Sequence, residues 1–270
     1  MKKYILRSKL KSIFTISLIL LLLIGNKNLI ADQSFPNRHI IILRDATPSF
    51  KYAQESNRQI ANIINSIGPG DIIIIGEIRS DFQPKANIRI QARMKNVPSD
   101  IFNEAKNMSQ YRINQTRLNE ILSTVENNKT TIKNWLVRNP LKIENGTDLF
   151  KALEYASFIC QKSESSENYL FIFSDLIHDV KGQRKTEMPP TQIYDFKNTY
   201  VKSLFASWNG QKDWIAREKK WSEWFQNSGA TSFSMYDPRE SEFQSSLLSP
   251  SCVPKKIKNP LTSKKDKSGS

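Results

Sequence analysis

Apolar residues in this chain come in short unbroken runs separated by longer amphipathic stretches. Ile40, Ile41, Ile42 and Leu43 form the first run, residues 71–78 (DIIIIGEI) the second and residues 169–173 (YLFIF) the third. A strand with one face in water alternates apolar and polar residues, so runs without alternation predict strands covered on both faces. Residues 87–94 (NIRIQARM) do alternate, which predicts a half-exposed edge strand. Between the first two runs, Ala53, Ile60, Ile63, Ile64 and Ile67 recur at helical spacing and the stretch closes on Gly68-Pro69-Gly70, so a helix is expected over residues 50–67. Residues 99–138 are polar, with Ile113, Leu118, Ile121, Leu122, Val125, Ile132, Trp135 and Leu136 as a buried stripe, predicting one long helix or two. A helix over residues 149–159, a strand over 200–208, a helix over 213–227 and a last strand over 231–236 complete the pattern. In that last helix Trp214, Trp221, Trp224 and Phe225 share the inward face. Residues 181–197, with Pro189-Pro190, read as a polar loop where a crossover helix would otherwise stand.

Strands alternating with helices predict an α/β fold: a doubly wound, mainly parallel central sheet with one antiparallel edge strand and helices on both faces. A chain of 270 residues accommodates one such domain, assigned to residues 32–248, with short appendages. Ligands of such sheets sit beyond the carboxyl ends of the strands, where strand order reverses. Here those ends are rich in oxygen. Asp45, Thr47 and Ser49 follow the first run, Ser174-Asp175 follows the third, and Asn145-Gly146-Thr147-Asp148 leads into the helix at 149.

The net charge of +14 belongs mostly to the ends. Lys2, Lys3, Arg7, Lys9, Lys11 and Lys27 precede residue 32 without an acid, and six lysines against Asp266 crowd the last twenty residues. The part between is nearly balanced, so a nucleic-acid footprint within the domain is not predicted. A basic start followed by the apolar residues 13–24 predicts a signal peptide over residues 1–31, with an uncleaved membrane anchor as the other reading. The run is short of the about 20 apolar residues that a span needs. Either way the domain is expected outside the cytoplasm, periplasmic or extracellular, or tethered to the membrane through residues 1–31. The Lys-, Pro- and Ser-rich residues 249–270 are expected to be disordered. Cys160 and Cys252 are either a single disulfide or two thiols, and sequence alone does not choose.

Asp45-Ala46-Thr47-Pro48-Ser49, Thr147 in Asn-Gly-Thr-Asp and Asp175 in Phe-Ser-Asp stand in the order of the metal ion-dependent adhesion site of von Willebrand factor type A domains. The chain resembles that family over residues 39–238. The resemblance implies a divalent cation, Mg²⁺ or else Mn²⁺ or Ca²⁺, held by Asp45, Thr47, Ser49, Thr147 and Asp175, and completed by a Glu or Asp of another protein. Two departures stand out: Thr47 replaces the usual first Ser, and Leu176 stands where Gly is frequent, so the backbone there is expected to be less permissive. Hydroxyls and carboxylates form a hard, all-oxygen ligand set, which agrees with such an ion on chemical grounds.

The resemblance implies a binding module without catalysis of its own. Carboxylates around Mg²⁺ or Mn²⁺ also serve phosphoester hydrolysis, so a metal-dependent hydrolase is the rival reading. A nucleic-acid accessory protein using the basic tail is a weaker third. Each donor also has a structural role to weigh: Asp45, Ser49 and Thr147 suit helix caps or turns. Asp179 is either an acid behind the ligands or a solvated loop charge. His39 and His178 lack the spacing of a zinc site.

Overall fold

The computed structural model describes residues 37–47, 50, 52–102, 105–163, 165, 167–180, 188–189, 194–204 and 211–236. The expected signal segment, Ser49, Cys252, residues 205–208 of the expected fifth strand and the basic tail lie outside the described residues.

The described strands are β1 (Arg38–Asp45), β2 (Ile72–Ile78), β3 (Ile88–Arg93), β4 (Glu167–Phe173), β5 (Thr199–Leu204) and β6 (Ser232–Tyr236). They form one sheet in the order β3-β2-β1-β4-β5-β6. All neighbours are parallel except β3, which runs antiparallel to β2 at the edge. Its alternating burial matches the pattern of residues 87–94. Apart from a single helical turn at Pro84–Asn87, the described helices are α1 (Ala53–Asn65), α2 (Met108–Arg138), α3 (Leu149–Lys162) and α4 (Gln211–Asn227). The polar stretch from 99 resolves into a 3₁₀ turn, Ser99–Phe102, and one uninterrupted α2 of 31 residues.

The unbroken apolar runs are explained by two cores, one on each face. Ile40 and Ile42 of β1 with Tyr169, Phe171 and Phe173 of β4 pack against Ile60, Ile63 and Ile64 of α1 and Val125, Ile132 and Leu136 of α2. Ile41 and Leu43 with Leu170 and Ile172 face Leu149, Leu153 and Ala156 of α3 and Trp221, Trp224 and Phe225 of α4. Successive residues of a strand point to opposite faces, so a strand between two helical layers must be apolar at every position. Each fully buried Ile or Leu contributes about 1.5–3 kcal/mol of transfer free energy. The central strands are therefore the anchor for whatever lies at their ends. Trp214 is only partly buried beside the second core, while Trp221 and Phe225 are wholly enclosed.

Strand order sets the position of the site. From β1 the chain moves to β2 and β3 on one side, then returns for β4, β5 and β6 on the other. The reversal lies between β1 and β4, whose register pairs Arg44 with Phe173. Asp45 and Ser174, the next residues along each strand, emerge side by side at the crevice where such folds bind ligands.

Candidate metal centre

Asp45 ends β1 and is only 1 % exposed. Its Oδ1 accepts from the Thr47 amide at 3.0 Å and the Thr47 hydroxyl at 2.8 Å, an Asx turn that folds the loop back over the strand end. Its Oδ2 accepts from the Ser174 hydroxyl at 2.7 Å. Thr147 arrives from the loop before α3, its hydroxyl 3.3 Å from Oδ1 and 3.5 Å from Oδ2. Three hydroxyls from three chain segments thus converge on one buried carboxylate.

The Thr147 segment is threaded through a narrow gap. Thr147 and Asp179 form an isolated antiparallel bridge: the Thr147 amide donates to the Asp179 carbonyl at 2.7 Å, and the Asp179 amide to the Thr147 carbonyl at 2.9 Å. The Asp148 amide donates to the Arg79 carbonyl and the Glu144 amide to the Ala46 carbonyl, both at 2.8 Å. Gly146 has φ +102°, and a Cβ there would lie 2.8 Å from the Asp179 carbonyl oxygen and 3.0 Å from Ser80 Cβ. Only glycine fits that conformation and that gap. Asp148 then caps α3, its side chain accepting from the Lys151 amide at 3.3 Å. Of the two sequence-based roles for Asp179, the geometry adds a third: its main chain holds Thr147.

Asp175 follows Ser174 and is 7 % exposed. Its Oδ1 accepts from the Ile177 amide at 3.1 Å, and the Leu176 amide donates to Ser174 Oγ at 3.1 Å. Leu176 has φ +59° and a fully buried side chain. The position where glycine is frequent in the resembling family does adopt the left-handed conformation, and leucine accepts it here.

Burial pushes the Asp45 carboxyl up to about 6. Hydrogen bonds from Ser174 and Thr47 oppose that rise, and the nearby charge of Asp175 adds to it. A carboxylate so placed gains from a nearby cation. The donor set fits one: each threonine hydroxyl has a single proton and directs it toward Asp45, which leaves its lone pairs to face a hard ion.

Ser174 is the participant that sequence reasoning missed, taking it for a strand terminus. The signal available was its place beside Asp175 at the end of an unbroken apolar run. The histidines stay apart: His39 is the second residue of β1, paired with Ile72 and Asn168 at the starts of β2 and β4, whereas His178 lies beyond the far end of β4. The His178 ring stacks on Phe150, centroids 4.0 Å apart and planes 6° from parallel. Its Nδ1 is 3.8 Å from Asp148 Oδ1. Among the described residues no group of three His, Cys, Asp or Glu side chains could hold a metal ion, so a cation here depends on the hydroxyls. No described helix is long and apolar enough to cross a membrane.

No protein-family model and no characterised protein matches the sequence. Among solved structures, the chain is similar to the ArnB paralog VWA2 from Sulfolobus acidocaldarius, at 16% identity and TM-score 0.43, covering 79% of this chain and 45% of that one. It is similar to a D319A mutant of the PilB minor pilin from Streptococcus sanguinis at 9% identity and TM-score 0.41, covering 80% and 60%. A von Willebrand factor type A protein from Catenulispora acidiphila matches at 10% identity and TM-score 0.38, covering 78% and 40%. The chain thus spans about half the length of these proteins.

Proposed function

We propose that the chain is an exported, divalent-cation-dependent protein-binding module of the von Willebrand factor type A kind, engaging a Glu or Asp of a partner and catalysing nothing itself. The observation that carries this reading is the pair of threonine hydroxyls, from loops 100 residues apart (Thr147 lies 102 positions beyond Asp45), that direct their protons to one buried carboxylate at the strand-order reversal. Asp45, Thr47, Thr147 and Asp175, with Ser49 from outside the described residues, would hold the ion. Ser174 would keep Asp45 in place through Oδ2. The ion, Mg²⁺ by preference of hard oxygen donors, would supply a positive charge that a partner carboxylate completes. Export rests on the composition of residues 1–31.

The test is thermal unfolding of the protein and of an Asp45→Ala, Ser49→Ala double variant against increasing Mg²⁺. A ligand at a hundred times its Kd stabilises by about 2.7 kcal/mol, so the wild type is expected to gain melting temperature and the double variant to gain none. Equal responses would remove the cation from this site. Capture of partners from the exported compartment with and without EDTA then asks whether binding follows the ion.

A further inference from the structure

We propose that Arg79 is the positioning residue for Thr147: its guanidinium and its own carbonyl hold the chain on either side of Thr147 in the loop that brings the threonine hydroxyl to Asp45. The role rests on the cation-binding reading above.

Between the end of α2 at Arg138 and the start of α3 at Leu149 the chain has no helix or strand of its own, only the single bridge at Thr147. Its path is set by outside contacts, and Arg79 supplies two of them. Arg79 Nη1 is hydrogen-bonded to the Glu144 carboxylate, three residues before Thr147. The Arg79 carbonyl accepts from the Asp148 amide at 2.8 Å, one residue after it. Gly146 lies between, packed against the neighbouring Ser80.

Arg79 is itself held. Its Nε and Nη2 donate to Glu77 Oε2 at 3.2 and 2.7 Å. Glu77 is buried at the end of β2 and also accepts from Arg44 Nη2 at 3.1 Å and Arg89 Nε at 2.9 Å. The guanidinium therefore lies with one edge fixed on the sheet and its remaining nitrogen aimed at the loop. A planar fork with five donors can bridge two acids in this way, and a lysine ammonium cannot reproduce it. The alternative role, neutralising Glu77, does not require Arg79, because Arg44 and Arg89 already pair with that carboxylate.

The experiment uses the full chain with Glu144→Gln, Arg79→Lys and the double variant. Glu144 is partly exposed, so its substitution leaves the core intact even if Arg79→Lys folds poorly. Backbone amide exchange is read at Glu144 and Thr147, and Mn²⁺ binding is read from the free-ion paramagnetic resonance signal. The expected result is faster exchange at both amides and Mn²⁺ affinity lower by roughly tenfold, as for groups that orient metal ligands, with the double variant no worse than either single one. Unchanged exchange would overturn the proposal. So would faster exchange with unaltered Mn²⁺ affinity, or a loss of affinity in Arg79→Lys that Glu144→Gln does not share. A wild type that takes up no Mn²⁺ would overturn the cation reading instead, and exchange alone would then decide the role of Arg79.

Discussion

The Ser174 hydroxyl donates to Asp45 Oδ2 at 2.7 Å, across the line where the sheet reverses its strand order. The parallel pairing of β1 with β4 runs up to Arg44 and Phe173, so both residues leave their strands at the same level and need no further element to meet. One consequence is chemical. Asp45 receives three short hydrogen bonds, yet among the described residues no neutralising charge holds its carboxyl down, and burial dominates.

That imbalance sets a pH dependence. The Asp45 carboxyl lies at about 6 in the folded protein and at 3.8 when unperturbed. Between those values the native state keeps a proton that the unfolded chain has released, so the contribution is fully present below 3.8 and is lost as pH rises through 6. At about 1.4 kcal/mol per pKa unit the loss approaches ~3 kcal/mol. Urea unfolding in EDTA is expected to show the wild type losing stability between pH 4 and 7.5 by more than Asp45→Asn does. Parallel profiles for the two proteins would show that Asp45 is not the titrating group.

The Thr147–Asp179 bridge depends on Gly146. An alanine there meets a carbonyl oxygen at 2.8 Å and a φ of +102°, a conformation that costs a residue with a Cβ about 1–3 kcal/mol. Gly146→Ala is expected to accelerate amide exchange at Thr147 and Asp179 and to lower the unfolding free energy by about that amount. It should also reduce the stabilisation by Mg²⁺, since the threonine hydroxyl would be displaced from Asp45. Exchange rates equal to wild type would mean that the gap yields without cost.

The strands were legible because burial on both faces leaves no polar residue in Ile40, Ile41, Ile42 and Leu43, and the half-exposed β3 was legible because it alternates. Asp45, Thr47 and Thr147 were legible as oxygens at element ends. The grip on Thr147 was not. Its direct contacts are made by the main chain of Arg79 and Asp179, and a carbonyl or an amide has no signature in a sequence. Ser174 was hidden for a different reason: its role depends on the register of β4 against β1, which local pattern does not contain. The length of α2 was left open because its amphipathic stripe is equally compatible with one helix or two.

Leu176 puts two effects in opposition. Its φ of +59° costs an L-residue roughly 1–2 kcal/mol, which glycine would relieve. Its side chain is wholly buried, and deleting a buried leucine costs about 3–5 kcal/mol. Burial wins by magnitude, so Leu176→Gly is expected to be destabilised by about 2–3 kcal/mol in urea unfolding. A stabilised variant would mean that backbone strain, not packing, governs this turn.

Glu77 separates buried from exposed ion pairs. Its carboxylate is 4 % exposed and meets Arg44, whose side chain is 0 % exposed, as well as Arg79 and Arg89. Although burial alone would raise its carboxyl, hydrogen bonds from Arg79 and Arg89 and the charges of Arg89 and Arg44 hold it below its ordinary value. Among the described residues, removing its charge leaves the enclosed Arg44 guanidinium without a carboxylate partner and with neutral amide oxygens as acceptors, that of Asn57 at 2.9 Å among them. Breaking such a buried pair costs about 3–5 kcal/mol. The Asp100–Arg117 pair, with side chains 57 % and 42 % exposed, is of the surface kind worth less than about 1 kcal/mol. Glu77→Gln is therefore expected to lower the urea midpoint several times more than Asp100→Asn, whereas similar midpoints would show that the arginines at the end of β2 remain solvated and that the cluster does not fix the loop beside it.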